Sequence, residues 1–200
     1  MQNYDYIVVG SGSSGSVIAN RLSEIKNINI CVIEAGGSNQ HPYIKMPAGF
    51  IKTINDKRFN WCFNTEKRSN VNNREIFFPR GKGFGGSSSI NGHLYVRGQP
   101  DIVEKHPICE EFIKGSKELG IEIQEDYNSG NQEGIFYYQR TIKNGARFSA
   151  YDAFLKTAIK RKNVDIKKNT LVLKIIFKNK KAVGLICERD NKEFQIYANK

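Results

Sequence analysis

The sequence lacks the features that would mark a secreted, metal-binding or membrane-spanning chain. No basic leader precedes the first apolar run, Ile7-Val8-Val9, and that run is too short for a signal peptide or a membrane span, so a cytoplasmic location is expected. Cysteine is sparse and scattered. Cys31, Cys62, Cys109 and Cys187 form no C-x-x-C and have no histidine at ligand spacing, which argues against a metal site or a redox pair and for reduced, packed thiols. There is no low-complexity tract, and 39% apolar content in 200 residues supports one ordinary domain or most of a two-domain arrangement. Acidic residues are few, 20 against 31 Lys and Arg, giving a net charge of +11. That excess raises the question of nucleic acid, but the densest cluster, Lys160-Arg161-Lys162 with Lys167-Lys168, has no interleaved aromatics. No helix-turn-helix, zinc or RNA-binding signature accompanies it. A solvated basic face is expected, which an acidic remainder of the protein would balance.

What is present begins with Tyr4-Asp-Tyr-Ile-Val-Val-Gly-Ser-Gly-Ser-Ser-Gly15. A short apolar strand enters a turn with glycines at 10, 12 and 15, and Val17, Ile18, Ala19 and Leu22 then recur at helical spacing. Gly10 permits the turn, Gly12 lets a pyrophosphate approach the backbone, and Gly15 lets helix and strand pack closely. The first helical N–H groups then face the phosphates, with the helix dipole behind them. A second strand, Ile28 to Ile33, ends at Glu34, where a carboxylate can accept from a ribose 2′-OH and disfavours a 2′-phosphate. A glycine turn beside a surface glutamate is the plain alternative.

Residues 39–73 show no sustained period and carry Pro42, Pro47, Phe50, Phe59, Trp61 and Phe63. Such a segment either covers a ligand or plugs a small satellite core. Glu75–Phe78 reads as a short strand closed by Pro79. Then comes Arg80-Gly-Lys-Gly-Phe-Gly-Gly-Ser-Ser-Ser-Ile-Asn-Gly92, which describes a loop entering a helix with serine caps, its backbone donors able to hold an anion beside Arg80 and Lys82.

Together, the opening glycine motif, the Ile33-Glu-Ala-Gly-Gly37 strand ending and the 80–92 loop resemble the glucose–methanol–choline (GMC) oxidoreductases, in particular the choline and alcohol dehydrogenase branch. The resemblance implies an α/β fold: a Rossmann-like FAD-binding domain with a parallel sheet and helices, plus an antiparallel β-meander. It places the ADP half of FAD on Gly10, Ser11, Gly12, Ser14, Gly15 and Glu34. Gly83, Gly86, Ser87, Asn91, Gly92, His93 and Leu94 would run beside the pyrophosphate and flavin, and Val172 would meet the adenine side through its backbone. Ile90 stands where some members carry a histidine bonded to the flavin, so FAD is expected to be non-covalent. His93 reads better as a packed residue than as a base. A plain buried strand valine would look the same as Val172.

After Gly98-Gln99-Pro100 the chain passes straight to a helix beginning at Pro107, so an internal deletion relative to the family is expected. Residues 126–134 read as turns, Ile135–Ile142 as a strand, Asn144-Gly145 as a tight turn, and Ser149-Ala-Tyr-Asp152 as a capping box before an apolar-striped helix. From Val164 to Ala198 four β-runs are expected to form the meander. Residues 1–200 thus read as a partial, incomplete FAD-binding domain, with the substrate domain largely absent and the family's C-terminal His, paired with His or Asn, not found among them. No catalytic residue is assigned. The expected activity is oxidation of CH–OH groups of a small alcohol by the complete enzyme, a separate polypeptide being one source of the missing half. A non-catalytic dinucleotide module or gene remnant, and an NAD-dependent dehydrogenase, are the alternatives.

Overall fold

A computed structural model describes residues 3–94, 107–126, 130 and 133–199. Strand β1 (Asn3–Tyr4) is followed by β2 (Tyr6–Val9), the glycine turn, helix α1 (Ser13–Leu22) and β3 (Ile30–Ile33). β2 and β3 pair in parallel, Tyr6 opposite Ile30 and Val9 opposite Ile33, so the expected strand–turn–helix–strand unit forms. Its second strand starts at Ile30 rather than Ile28. All four β3 residues are buried, as a parallel strand covered on both faces requires.

Alternation along β3 divides the core. Ile30 and Val32 pack with Val8, Ala19, Phe84, Tyr151, Leu155 and Ala158 on the helical side. Cys31 and Ile33 pack with Tyr4, Leu185, Cys187 and Ile196 on the other. The latter face carries the meander: β9 (Leu171–Lys178), β10 (Lys181–Arg189) and β11 (Lys192–Ala198), joined antiparallel. β1 pairs in parallel with β11, Asn3 opposite Tyr197, so the N-terminal segment runs in both sheets and fastens them together.

The run at 164–167 departs from expectation. As β8 (Val164–Lys167) it pairs in parallel with β3, Ile30 opposite Val164, and so belongs to the dinucleotide sheet, ordered β2-β3-β8. The meander therefore starts at Leu171, not Val164. Local sequence cannot tell which sheet takes this four-residue strand, Val-Asp-Ile-Lys, because its partner, β3, lies more than 130 residues away.

The 39–73 segment is not irregular throughout: it holds α2 (Pro42–Lys45), α3 (Phe50–Thr53) and β4 (Phe63–Asn64), and β4 pairs with β5 (Phe77–Phe78). Glycine-induced turning also defeats the helix expected after Ser87. Only a 3₁₀ turn forms over Gly86–Ser89, and the hydroxyls of Ser88 and Ser89 bond back to the carbonyls of Gly85 and Phe84. Helix α4 (Pro107–Glu118) forms as expected. The strand expected over Ile135–Ile142 does not. Bridges at Ile135 and Arg140 and the hairpin of β6 (Ile142–Lys143) with β7 (Ala146–Arg147) take its place, with Asn144 and Gly145 both at positive φ in the turn.

Ser149 and Asp152 do bond, the Ser149 N–H and hydroxyl both donating to the Asp152 carboxylate. They open a π-helical turn over Tyr151–Leu155 that continues into α5 (Lys156–Ala158). Arg161 is not simply solvated: its guanidinium donates to the Asn20 carbonyl at 2.6 Å, satisfying an open C-terminal group of α1. The expected break after Pro100 and most of the turn at 127–132 lie outside the described residues.

Candidate cofactor site

The site is built where β2 and β3 end. Gly10 N–H donates to the Ile33 carbonyl at 2.7 Å, closing the turn against the neighbouring strand. A Cβ on Gly15 would stand 1.9 Å from the Gly10 carbonyl oxygen, so only glycine lets α1 sit so close to the turn. At the start of α1, Gly12 provides no side-chain cap and the first turn holds no acidic residue. Its N–H groups are thus left for an external anion, with the positive end of the dipole behind them.

The second glycine loop is packed directly onto the first. Gly85 N–H donates to the Ser11 carbonyl, and a Cβ on Gly86, which has φ +53°, would lie 2.8 Å from the Gly12 Cα. Between and above the two loops lies a cleft of about 520 Å³, of the size that binds small ligands. Gly10, Gly12, Ser14, Gly15, Glu34, Gly86, Ser87 and Val172 all line it. The meander enters here through Thr170, Leu171 and Val172, and the Thr170 N–H donates to the Glu34 carbonyl at 2.9 Å.

Arg80, the first residue of the second glycine loop, also lines this cleft, as do Trp61 and Thr170, which no glycine motif contains. Arg80 stacks on Phe78, 3.6 Å from the ring centroid, and Lys82 lies 4.8 Å over Trp61. Of the aromatics in 39–73, Trp61 lines the cleft, while Phe50 and Phe59 are only half-buried and Phe63 is exposed. The signal for Trp61 was its place in an aromatic-rich, aperiodic segment; Thr170 offered none.

Glu34 is 6% exposed and its carboxylate is engaged by the protein itself. Oε2 accepts from the Ser11 N–H at 2.8 Å and the Ser11 hydroxyl at 2.7 Å; Oε1 accepts from the Gly36 and Gly83 N–H groups, both at 2.9 Å. One side chain thus joins the first loop, the strand ending and the second loop. Gly83 contributes its N–H to this junction rather than a wall of the cleft.

Asn91, Gly92, His93 and Leu94 are not among the residues lining that cleft. The Asn91 Oδ1 accepts from Arg147 Nη1 at 2.8 Å and the Asn91 carbonyl from Nη2 at 2.9 Å. Arg147, nearly fully buried, also donates to the Ile44 and Ser88 carbonyls, so it ties the covering segment to the glycine–serine loop. Burial pushes its guanidinium down to about 10, against the opposing charge of Asp152. His93 is 3% exposed, its ring nitrogens 3.0 Å from the Pro47 carbonyl and 3.4 Å from that of Thr141. Burial first, and then the Arg147 charge, hold the imidazole below its ordinary range, so it is neutral and packed.

These groups fit a dinucleotide cofactor: uncapped helix donors for a pyrophosphate, a cradle that any Cβ would fill, and a neighbouring guanidinium at Arg80. Among the described residues, no cluster of His, Cys, Asp and Glu could hold a metal ion, and no helix is long and apolar enough to cross a membrane.

Comparisons with known proteins agree with this geometry. The chain is 33% identical over 240 residues to an alcohol dehydrogenase [acceptor] of Pseudomonas putida, covering 96% of this chain and 44% of that protein. It is 36% identical to an oxygen-dependent choline dehydrogenase of Rhizobium etli, covering 98% and 44%. Because 96% of 200 residues is about 192, close to 50 of the 240 alignment positions fall opposite no residue here. Among solved structures, pyridoxine 4-oxidase from Mesorbium loti superposes with a TM-score of 0.86 at 25% identity, covering 98% of this chain and 48% of that one. An FAD-dependent oxidoreductase from Chaetomium thermophilum, at 22% identity, shares the fold with a TM-score of 0.82, covering 99% and 44%. The chain thus spans less than half the length of these relatives. The sequence pattern of the GMC oxidoreductases matches it in two stretches, residues 4–105 and 99–200, and the chain belongs to that family.

Proposed function

We propose that residues 1–200 form the FAD-binding part of a GMC oxidoreductase acting on CH–OH groups of small alcohols, choline-like or otherwise. The observation that carries this is the contact of the two glycine loops, Gly86 against Gly12, at the uncapped start of α1. A single glycine turn suits any dinucleotide. A second, serine-rich loop seated on it, with Arg80 alongside, suits FAD over NAD, a reading that only the first motif supports.

In this reading Gly12, Ser14 and Gly15 receive the pyrophosphate through backbone donors at the start of α1, Gly10 and Ser11 shape the turn beneath it with their N–H groups held by Ile33 and Glu34, Gly86 and Ser87 close over it, and Val172 meets the adenine. Glu34 holds these loops in register. FAD, when bound, supplies a ring that accepts hydride from the alcohol carbon. Ile90 is buried and offers only hydrocarbon, so attachment is non-covalent. Arg147 fixes Asn91 and Ser88 beneath the cofactor, and His93 contributes packing rather than base catalysis. Reduced thiols fit a cytoplasmic setting. Alcohol turnover belongs to the complete enzyme, of whose relatives' length this chain spans about 44%.

The test is the visible spectrum of purified 1–200 and the cofactor it releases in denaturant. A yellow protein that releases FAD, and that does not oxidise alcohols with an artificial electron acceptor, is the expected result. A colourless, soluble protein that binds NADH would establish the NAD-dependent reading, and a colourless aggregate would establish a gene remnant.

A further inference from the structure

The meander sheet is ordered β1-β11-β10-β9, so among the described strands nothing pairs with the outer edge of β9. Its eight residues present Leu173, Ile175 and Phe177 at 43%, 47% and 63% exposure. Register explains why. Val172 stands opposite buried Cys187, but a shift between Ile186 and Cys187 changes the alternation, so Ile175 falls opposite Leu185 and Phe177 opposite Ala182. Leu173 falls within that shift, and a second shift, between Ala182 and Gly184, sets Phe177 apart from Ile175 in the register. The same stretch is uniformly basic: Lys168, Lys174, Lys178, Lys180 and Lys181 are exposed, and residues 168–181 include no acid.

Lysines on an edge strand guard against pairing of like with like, since a second copy would bring the same charges into register. They do not guard against a strand of opposite charge. We propose that the β9 edge is a docking site for an extended acidic polypeptide segment with alternating apolar residues, which adds to the sheet as a fifth strand. Backbone N–H and C=O groups of β9 supply the pairing, Ile175 and Phe177 receive the apolar side chains, and Lys174 and Lys178 meet the carboxylates. Glu188 lies across from Leu171 on the paired side of β9, leaving the open edge basic. The segment would run beside Thr170–Val172, one wall of the cofactor cleft.

The proposal is tested by backbone-amide NMR of the full chain titrated with a short synthetic peptide alternating glutamate and valine. The control peptide has lysine in place of glutamate. Expected are shifts centred on 171–178 with the acidic peptide, their loss at high salt, and none with the basic one. The exposed-site variant K174E/K178E should exchange the preference, binding the basic peptide instead. No binding at millimolar peptide, equal binding of both peptides, or shifts away from β9 would overturn the proposal. So would concentration-dependent dimerisation in sedimentation that is lost in F177E, because the face would then belong to a second copy. Flavin absorbance of the same samples reports cofactor binding separately, so failure of either reading is visible without the other.

Discussion

At the scale of single residues, burial decides the chemistry of the titratable groups. Tyr4, Cys31, Asp165 and Lys167 meet between the two sheets, where Lys167 donates to Asp165 at 2.8 Å and the Tyr4 hydroxyl donates to the same oxygen. Burial pushes the Cys31 thiol up to about 12, with the Asp165 charge adding to it. Burial would likewise raise Asp165, but the hydrogen bonds from Lys167 and Tyr4 outweigh it and hold the carboxyl low. Cys31 and Cys187 are therefore inert thiols inside a core. His93 carries the clearest pH consequence. Its folded value lies below the ordinary 6.5, so the unfolded chain binds more protons in that window, and stability falls as pH drops from 6.5 toward the folded value. Thermal unfolding measured through this range should show an acid limb that flattens in His93→Gln, which keeps an amide near the same carbonyls. An unchanged limb would assign the pH dependence to other groups.

At the scale of elements, the cofactor cradle depends on close approach of backbone segments. Gly15→Ala places a methyl 1.9 Å from a carbonyl oxygen, and Gly86→Ala adds both a clash with Gly12 and strain at φ +53°. Each variant should lose cofactor binding by flavin absorbance, with Gly86→Ala keeping its far-UV circular dichroism because it disturbs a loop rather than the βαβ unit. Glu34→Gln should destabilise by about 2 kcal/mol or more, since charge-assisted hydrogen bonds are lost and an amide N–H₂ is set against backbone donors. The shift in urea midpoint measures it. The glycine spacing and Glu34 were legible in sequence because spacing reports local turn geometry. The four donors that converge on Glu34 were not, because Gly83 N–H arrives from 49 residues away.

At the scale of the whole molecule, the meander sheet packs on one face of β3 and the N-terminal segment runs in both sheets, while apolar side chains remain on the surface. Ile108, Phe112 and Leu119, on and just beyond α4, are 70–82% exposed, and Val9 on β2 is 56% exposed. Surfaces of this kind mark faces made to be covered. The isolated chain should bind an apolar fluorescent dye in its native state well above the level of a typical soluble domain of its size. Emission no greater than such a domain would show that these faces are covered in solution.

Motif spacing by itself determined the βαβ unit and the two glycine loops, because each depends on residues close together in the chain, and the same motifs carried the resemblance to the family. Local signals also settled the helix at 107 and the Asn144-Gly145 turn. Only the tertiary structure decided that 164–167 joins the parallel sheet, that the serine loop turns as 3₁₀ rather than a helix, and that 135–142 does not form a continuous strand. The same holds for the cleft, where Trp61 and Thr170 arrive from segments outside the glycine loops, and for the buried linkage of Arg147 to Asn91, Ser88 and Ile44. The physical reason is the same in each case: which partner buries a strand or satisfies a donor is set by pairings across long stretches of chain, and local propensity is silent about them.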